Sequence, residues 1–226
     1  MTTIQRSSSS ICIAVFFLFA QNALAQKPSA PTNDPKAKVV LDAMSKKYRG
    51  FKTIKANFKM LLENAASKTK EEKSGMIVLK GTHYHVEFGN LEITCDNKNV
   101  WTFTKDENEV TVSKYDANAK AINPADIFTL YEKGFLYQLA ADEKEGGKLY
   151  EVIELTPTDK SKNYFKLKLY IDKASQAIAK TKIFDKNGNR YTYEIVQFTP
   201  NTPFEDAYFS FDTKKHPGVE VTDNRD

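Results

Sequence analysis

Few side chains in this 226-residue sequence are of types that do chemistry. His83 and His85 stand two apart, with Glu87 next in the series. On a strand this spacing puts all three on one face, a geometry able to chelate a metal ion. The intervening Tyr84, Val86 and Phe88 make the opposite face the apolar one. The His83, His85 and Glu87 row is therefore expected to face solvent. His216, the third histidine, lies far along the chain. Cys95 alternates with Leu91 and Ile93, the pattern of a small buried hydrophobe rather than a catalytic thiol. Asp96 and Asp185 fall in turns, so a two-carboxylate hydrolase has no support. The sequence holds no nucleophile elbow, phosphate-cradling glycine loop or metal-binding helix motif. The residues thus predict a protein that is not an enzyme and uses neither cofactor nor metal.

What the chain has in quantity is aromatic surface: 15 Phe, 11 Tyr and one Trp, with nothing catalytic beside them. Most of these residues are expected to fill a core. The elements that must hold them are mainly strands. Asp34 reads as an N-cap with Pro35 at the first helical position. Val40, Leu41, Met44 and Tyr48 follow at helical spacing, and Gly50 ends the helix. From Ile54 onward the period changes to two. Ile54, Ala56, Phe58 and Met60 alternate with polar residues. Residues 63–74 read as a charged, mobile connection. Further strands are expected at 75–80, 84–88, 91–95, 100–104, around Val110 and Val112, and at 149–155, 165–171, 178–184 and 191–198. Turns fall at 96–99 and 185–189. Phe209 and Phe211 mark a last short strand. Between the two strand groups, Asn123-Pro124-Ala125-Asp126 looks like a helix start, and the apolar stretch to Ala141 reads as one or two short helices. One helix, about ten antiparallel strands and a helical insert predict a strongly bent sheet wrapped around helices, with a closed calyx as the other arrangement. Two short helical elements would cover such a sheet only loosely. A loosely covered apolar concavity is a ligand site.

The N-terminus carries one positive charge, Arg6, then an apolar run from Ile11 to Ala20 and the small-x-small triplet Ala23-Leu24-Ala25. Together they read as a secretory signal peptide over 1–25, cleaved after Ala25. The run is shorter than the roughly 20 residues of a membrane span. Residues 26–35 are polar and proline-rich, a flexible leader, and 36–226 read as a single domain. Cys12 leaves with the signal, so the mature chain keeps only Cys95 and makes no internal disulfide. Cys12 is also not at the cleavage point, where a lipid anchor would need it. The full chain has a formal charge of +4, one less after Arg6 is lost. This is spread thinly and does not suit nucleic acid. The expected product is an exported, soluble monomer.

The C-terminus carries a family resemblance. Residues 209–225 read FSFDTKKHPGVEVTDNR. Phe-x-Phe followed by Pro-Gly-Val-x-Val-x-Asp-x-Arg resembles the closing signature of the LolA family of periplasmic lipoprotein carriers. Ala56-Asn57-Phe58, the Gly75 to Lys80 strand (GxIxLK), Asp96 to Trp101, Leu155-Thr156-Pro157 and Asp185 to Asn189 match in the same order. The resemblance implies an α+β, mainly β fold: an incomplete, half-open antiparallel β-barrel of about ten to eleven strands with a helical lid over an apolar cavity. It implies acylated lipoprotein as cargo, an inner-membrane ABC-type lipoprotein release complex as donor and an outer-membrane acceptor. Strand alternation and the lid position nominate Ile77, Leu79, Ile93, Trp101, Phe103, Phe128, Leu130, Phe135, Leu167 and Leu169 as the acyl-chain cavity. A carrier of free lipid or glycolipid, and a lipoprotein-sensing regulatory module, share these features and stay open as alternatives. Members of the best-known type carry Arg-Pro directly after the GxIxLK strand, and that arginine latches the lid. Gly81 and Thr82 occupy those positions here. Lys80, one residue early, is expected to point to the other face.

Overall fold

A computed structural model describes residues 33–116, 127 and 129–225. The signal peptide, most of the leader, the expected helix start at Asn123 and the candidate Phe128 lie outside these residues. The one α-helix among them, α1 (Pro35–Arg49), forms as its sequence dictates. The Asp34 carboxylate accepts the Lys36 N–H at 2.8 Å, and Pro35 lacks a donor only where the helix has no acceptor for it. Lys46, Lys47 and Arg49 sit in the last turn, where the helix dipole favours cations. Ala37, Leu41, Met44 and Tyr48 make the buried stripe.

The strands make one sheet. Its strands are β1 (Ile54–Asn64), β2 (Thr69–Lys80), β3 (His83–Phe88), β4 (Leu91–Cys95), β5 (Asn99–Thr104) and β6 (Glu109–Lys114), then β7 (Phe135–Leu139), β8 (Glu143–Glu145) and β9 (Lys148–Pro157). β10 (Tyr164–Asp172), β11 (Ala177–Asp185), β12 (Asn189–Pro200) and β13 (Glu220–Asn224) complete it. The spatial order is β13-β6-β5-β4-β3-β2-β1-β12-β11-β10-β9-β7, with β8 also beside β9. The sheet is open, because β13 and β7 end it without meeting, so the half-open arrangement holds and the closed calyx does not. All pairings are antiparallel except β13 with β6.

Three stretches differ from the sequence expectation. Residues 63–74 are not a loose connection: β1 and β2 run on as one long hairpin, with Glu63 opposite Lys70 and Lys59 paired to Glu72 at 3.3 Å. Cross-strand charge pairs and ladder hydrogen bonds sustain it where no apolar period exists. Phe135–Leu139 is a strand, not a helix. A five-residue stretch with one polar residue, Gln138, does not reveal its period, and its aromatics suit a strand. Finally, Phe209 and Phe211 form no strand. Asp206–Phe209 is a 3-10 turn laid on the sheet, and the last strand is β13, further along and parallel.

Candidate functional site

Helix α1 lies against β7 and β11 and defines an inner face of the sheet. Register carries that face across the strands. Ile54 stands opposite Leu79, Leu79 opposite Tyr84, and Tyr84 opposite Cys95. At this end the face is sealed. The Tyr48 ring meets Phe51 at 5.9 Å and Phe198 at 5.7 Å, both edge-on. Its hydroxyl accepts the Ile178 N–H at 3.0 Å, and burial pushes its pKa up to about 12. The 3-10 turn Leu130–Glu132 is tied to the helix by Tyr131, whose hydroxyl donates to Asp42 at 3.0 Å, and by an Arg49–Glu132 ion pair.

Away from the helix the same face changes character. Ile77, Val86 and Ile93 are only half-buried, as are Phe88, Leu91, Ile183, Tyr191 and Tyr193. Phe58 stacks on Phe88 at 6.0 Å and leans on Tyr193 at 5.8 Å. The inner face is thus an apolar floor with a packed, helix-covered end and a half-covered remainder.

The sequence-nominated residues divide. Leu79, Leu167 and Leu169 lie in the sealed core under α1. Ile77, Ile93 and Phe135 sit on the same face, half-buried and packed against that core. Phe135 stacks on Tyr164 at 6.4 Å. Trp101 and Phe103 are not with them. They alternate with Val100 and Thr102 and fall on the outer face, where Phe103 packs against Phe211 at 5.1 Å and His216 at 4.5 Å. Alternation on β5 gives two faces but not which one meets α1, and Trp101 and Phe103 lie on the face away from it. Leu130 opens the 3-10 turn, and its side chain, like Phe128, lies outside the described part.

The outer face holds what the sequence did not reveal. Residues 204–216 cross it as a strap rich in aromatics. Lys80 points to this face, donating to the Phe204 carbonyl at 2.9 Å and pairing with Asp206 at 2.7 Å. Under the strap, His85 is not solvent-facing: it is 6% exposed, with its ring 4.6 Å from Tyr208. Its Nδ1 lies 3.1 Å from the Thr94 hydroxyl and its Nε2 3.3 Å from Glu87. A hydroxyl, an imidazole and a carboxylate in line resemble a catalytic relay, but Thr94 is 1% exposed and can meet no substrate. Among the described residues, no group of three or more His, Cys, Asp or Glu is placed to hold a metal. Cys95 is buried, its thiol raised by burial and in contact with the Asn97 N–H at 3.4 Å.

Residues 49–212 match a family described as outer membrane lipoprotein carrier protein LolA. No curated protein matches. Among solved structures, an uncharacterized conserved protein from Thermus thermophilus aligns with a TM-score of 0.52 at 14% identity, over 84% of this chain and 99% of that one. That likeness shows a shared fold. A LolA superfamily protein from Nitrosomonas europaea aligns at 0.44 with 13% identity, over 78% and 98% of the two chains. A putative outer membrane lipoprotein-sorting protein domain from Vibrio parahaemolyticus aligns at 0.43 with 15% identity, over 77% and 97%. The open sheet, the helix across one end of its apolar face and the match over 49–212 together place this chain in the LolA family.

Proposed function

We propose that this protein is exported to the periplasm and carries acylated lipoproteins there, holding their acyl chains on the half-covered part of the inner face. The observation that carries the reading is the change along that face: packed under α1, then a run of half-buried side chains such as Ile77, Val86 and Ile93. An apolar floor without a full cover is what an acyl chain can complete. Burial contributes about 0.8 kcal/mol per CH₂, so a chain of about 15 such groups resists release into water by roughly 12 kcal/mol. Cargo with two or three chains would not leave unaided. Transfer from an inner-membrane ABC-type release complex and onward to an outer-membrane acceptor is therefore direct, apolar surface to apolar surface. The chemistry needs no cofactor.

Native mass spectrometry of the protein purified from its own periplasm tests the reading. An acylated protein bound one-to-one is the expected result. Bound free phospholipid would move the assignment to a lipid shuttle. Reproducibly empty protein would sink both.

A further inference from the structure

A second surface lies outside the inner face, at the β9–β10 and β11–β12 ends of the sheet. Phe165 is 50% exposed. It is the extra residue of a β-bulge in β10, where Tyr164 pairs with Asp185 and Lys166 already pairs with Phe184. Bulges re-aim side chains. Here Tyr164 turns to the inner face and stacks on Phe135, while Phe165 turns outward to Phe184, 6.2 Å away. An aromatic ring is thereby held in water at the rim.

Cations surround it. Lys166 lies over the Phe184 ring at 4.7 Å and Arg190 at 5.9 Å. The adjoining loops 158–163 and 185–188 bring Lys160, Lys162 and Lys186 to the same end, joined by Lys186 Nζ donating to the Lys160 carbonyl at 2.5 Å. The acids nearby keep their charge but are outnumbered, four against these five cations. Asp159 accepts from the Ser161 N–H and hydroxyl, Asp185 accepts from the Asn187 N–H, and Glu154 pairs with Lys168 and Lys166. Glu63 stands opposite Arg190 on β1.

We infer that this rim is a docking surface for an anionic phospholipid bilayer. The lysines and Arg190 complement lipid phosphates, and Phe165 enters the interfacial layer, where aromatic side chains are favoured. A single protruding ring among surface cations offers no groove for a folded partner, but it suits a fluid surface. The inference goes beyond the carrier reading and does not depend on it.

The test is co-sedimentation of the mature chain with vesicles of phosphatidylglycerol and phosphatidylcholine, against phosphatidylcholine alone, at low and high salt. Binding to the anionic vesicles only, weakened by salt, is expected. Phe165→Ser should reduce it roughly ten-fold. The triple variant Lys160→Glu, Lys162→Glu, Lys186→Glu should abolish it, since each lysine near an anionic surface changes binding about five-fold. Phe165→Trp should be quenched by brominated lipid, while the native Trp101 of the unaltered chain is not. No sedimentation with the anionic vesicles overturns the inference and leaves an acidic protein as the partner. Equal binding to both vesicle types, or variants that sediment like the parent, also overturns it. Native mass spectrometry of Phe165→Ser keeps the two readings apart, because retained cargo with lost vesicle binding separates docking from carriage.

Discussion

At Gly75 a missing Cβ lets three strands pack. A Cβ there would stand 2.4 Å from the Phe58 ring and 2.7 Å from the Glu87 carbonyl oxygen. Phe58 therefore lies across β2 to stack on Phe88 from the far side, a glycine covered by an aromatic from the next strand. Gly75→Ala is expected to destabilise the fold by about 1–3 kcal/mol in urea melts, the usual range for overpacking. Phe58→Ala in the same chain should not restore stability, since the Glu87 carbonyl still blocks the methyl. Tyr48 makes the second point at this scale. Its hydroxyl accepts from Ile178 in an apolar setting, and burial, which outweighs the lowering effect of that bond, raises its pKa from 10.0 to about 12. Because the folded value lies above the unfolded one, stability is full below pH 10 and is lost as pH rises toward 12. The loss from this group is about 1.4 kcal/mol per pH unit across that window. Tyr48→Phe should remove that part of the alkaline slope in pH-dependent melts. It should also cost about 1–3 kcal/mol at neutral pH, because the Ile178 N–H loses its partner. An unchanged alkaline slope would mean that Tyr48 ionises freely in the fold.

Among the elements, the strap over residues 204–216 is the one whose role depends most on tertiary context. Phe209 is fully buried, between His83 at 5.7 Å and Phe204 at 6.5 Å, and Lys80 fixes the strap's start. Phe209→Ala is expected to cost about 3–5 kcal/mol, the range for emptying a buried aromatic site, read from the urea midpoint. A loss below about 1 kcal/mol would show that the strap is an appendage rather than a second cover of the sheet. Helix α1 was legible in the sequence because Asp34, Pro35 and Gly50 punctuate a clean helical period. The hairpins at 96–99 and 185–189 were legible from their turn residues. The strap was not. Phe209 and Phe211 alternate like a strand, yet the ring of Phe209 is satisfied by packing onto an existing sheet, and local spacing does not distinguish those outcomes. The same limit misplaced Trp101 and Phe103. Alternation says that two faces exist on β5 but not which one meets α1, and here the strap makes the outer face equally apolar. The charged hairpin of β1 and β2 escaped for the opposite reason. Its cross-strand partners lie several residues apart in sequence, so the Lys59–Glu72 pairing leaves no local signature.

On the scale of the molecule, the two coverings are unequal. The strap and α1 seal the outer face near β3 to β5 and one end of the inner face, while the inner floor around Ile77 and Ile93 stays only half-buried. This asymmetry separates a binding defect from a folding defect. Leu79, 5% exposed, would carry a glutamate into the core and unfold the chain. At half-buried Ile77 and Ile93 a glutamate can turn its charge toward water, so the fold should survive while the floor becomes hostile to an acyl chain. Ile77→Glu and Ile93→Glu are expected to keep a cooperative melt and to lose co-purifying acylated cargo. Val196→Glu, at a position already 60% exposed, should retain it. A soluble fatty acid at about a hundredfold excess over its Kd should stabilise the parent by about 2.7 kcal/mol. It should leave Ile77→Glu and Ile93→Glu almost unmoved. Equal stabilisation of all the variants would place the acyl chain elsewhere on the molecule, and cargo retained by both inner-face variants would remove the floor from the mechanism.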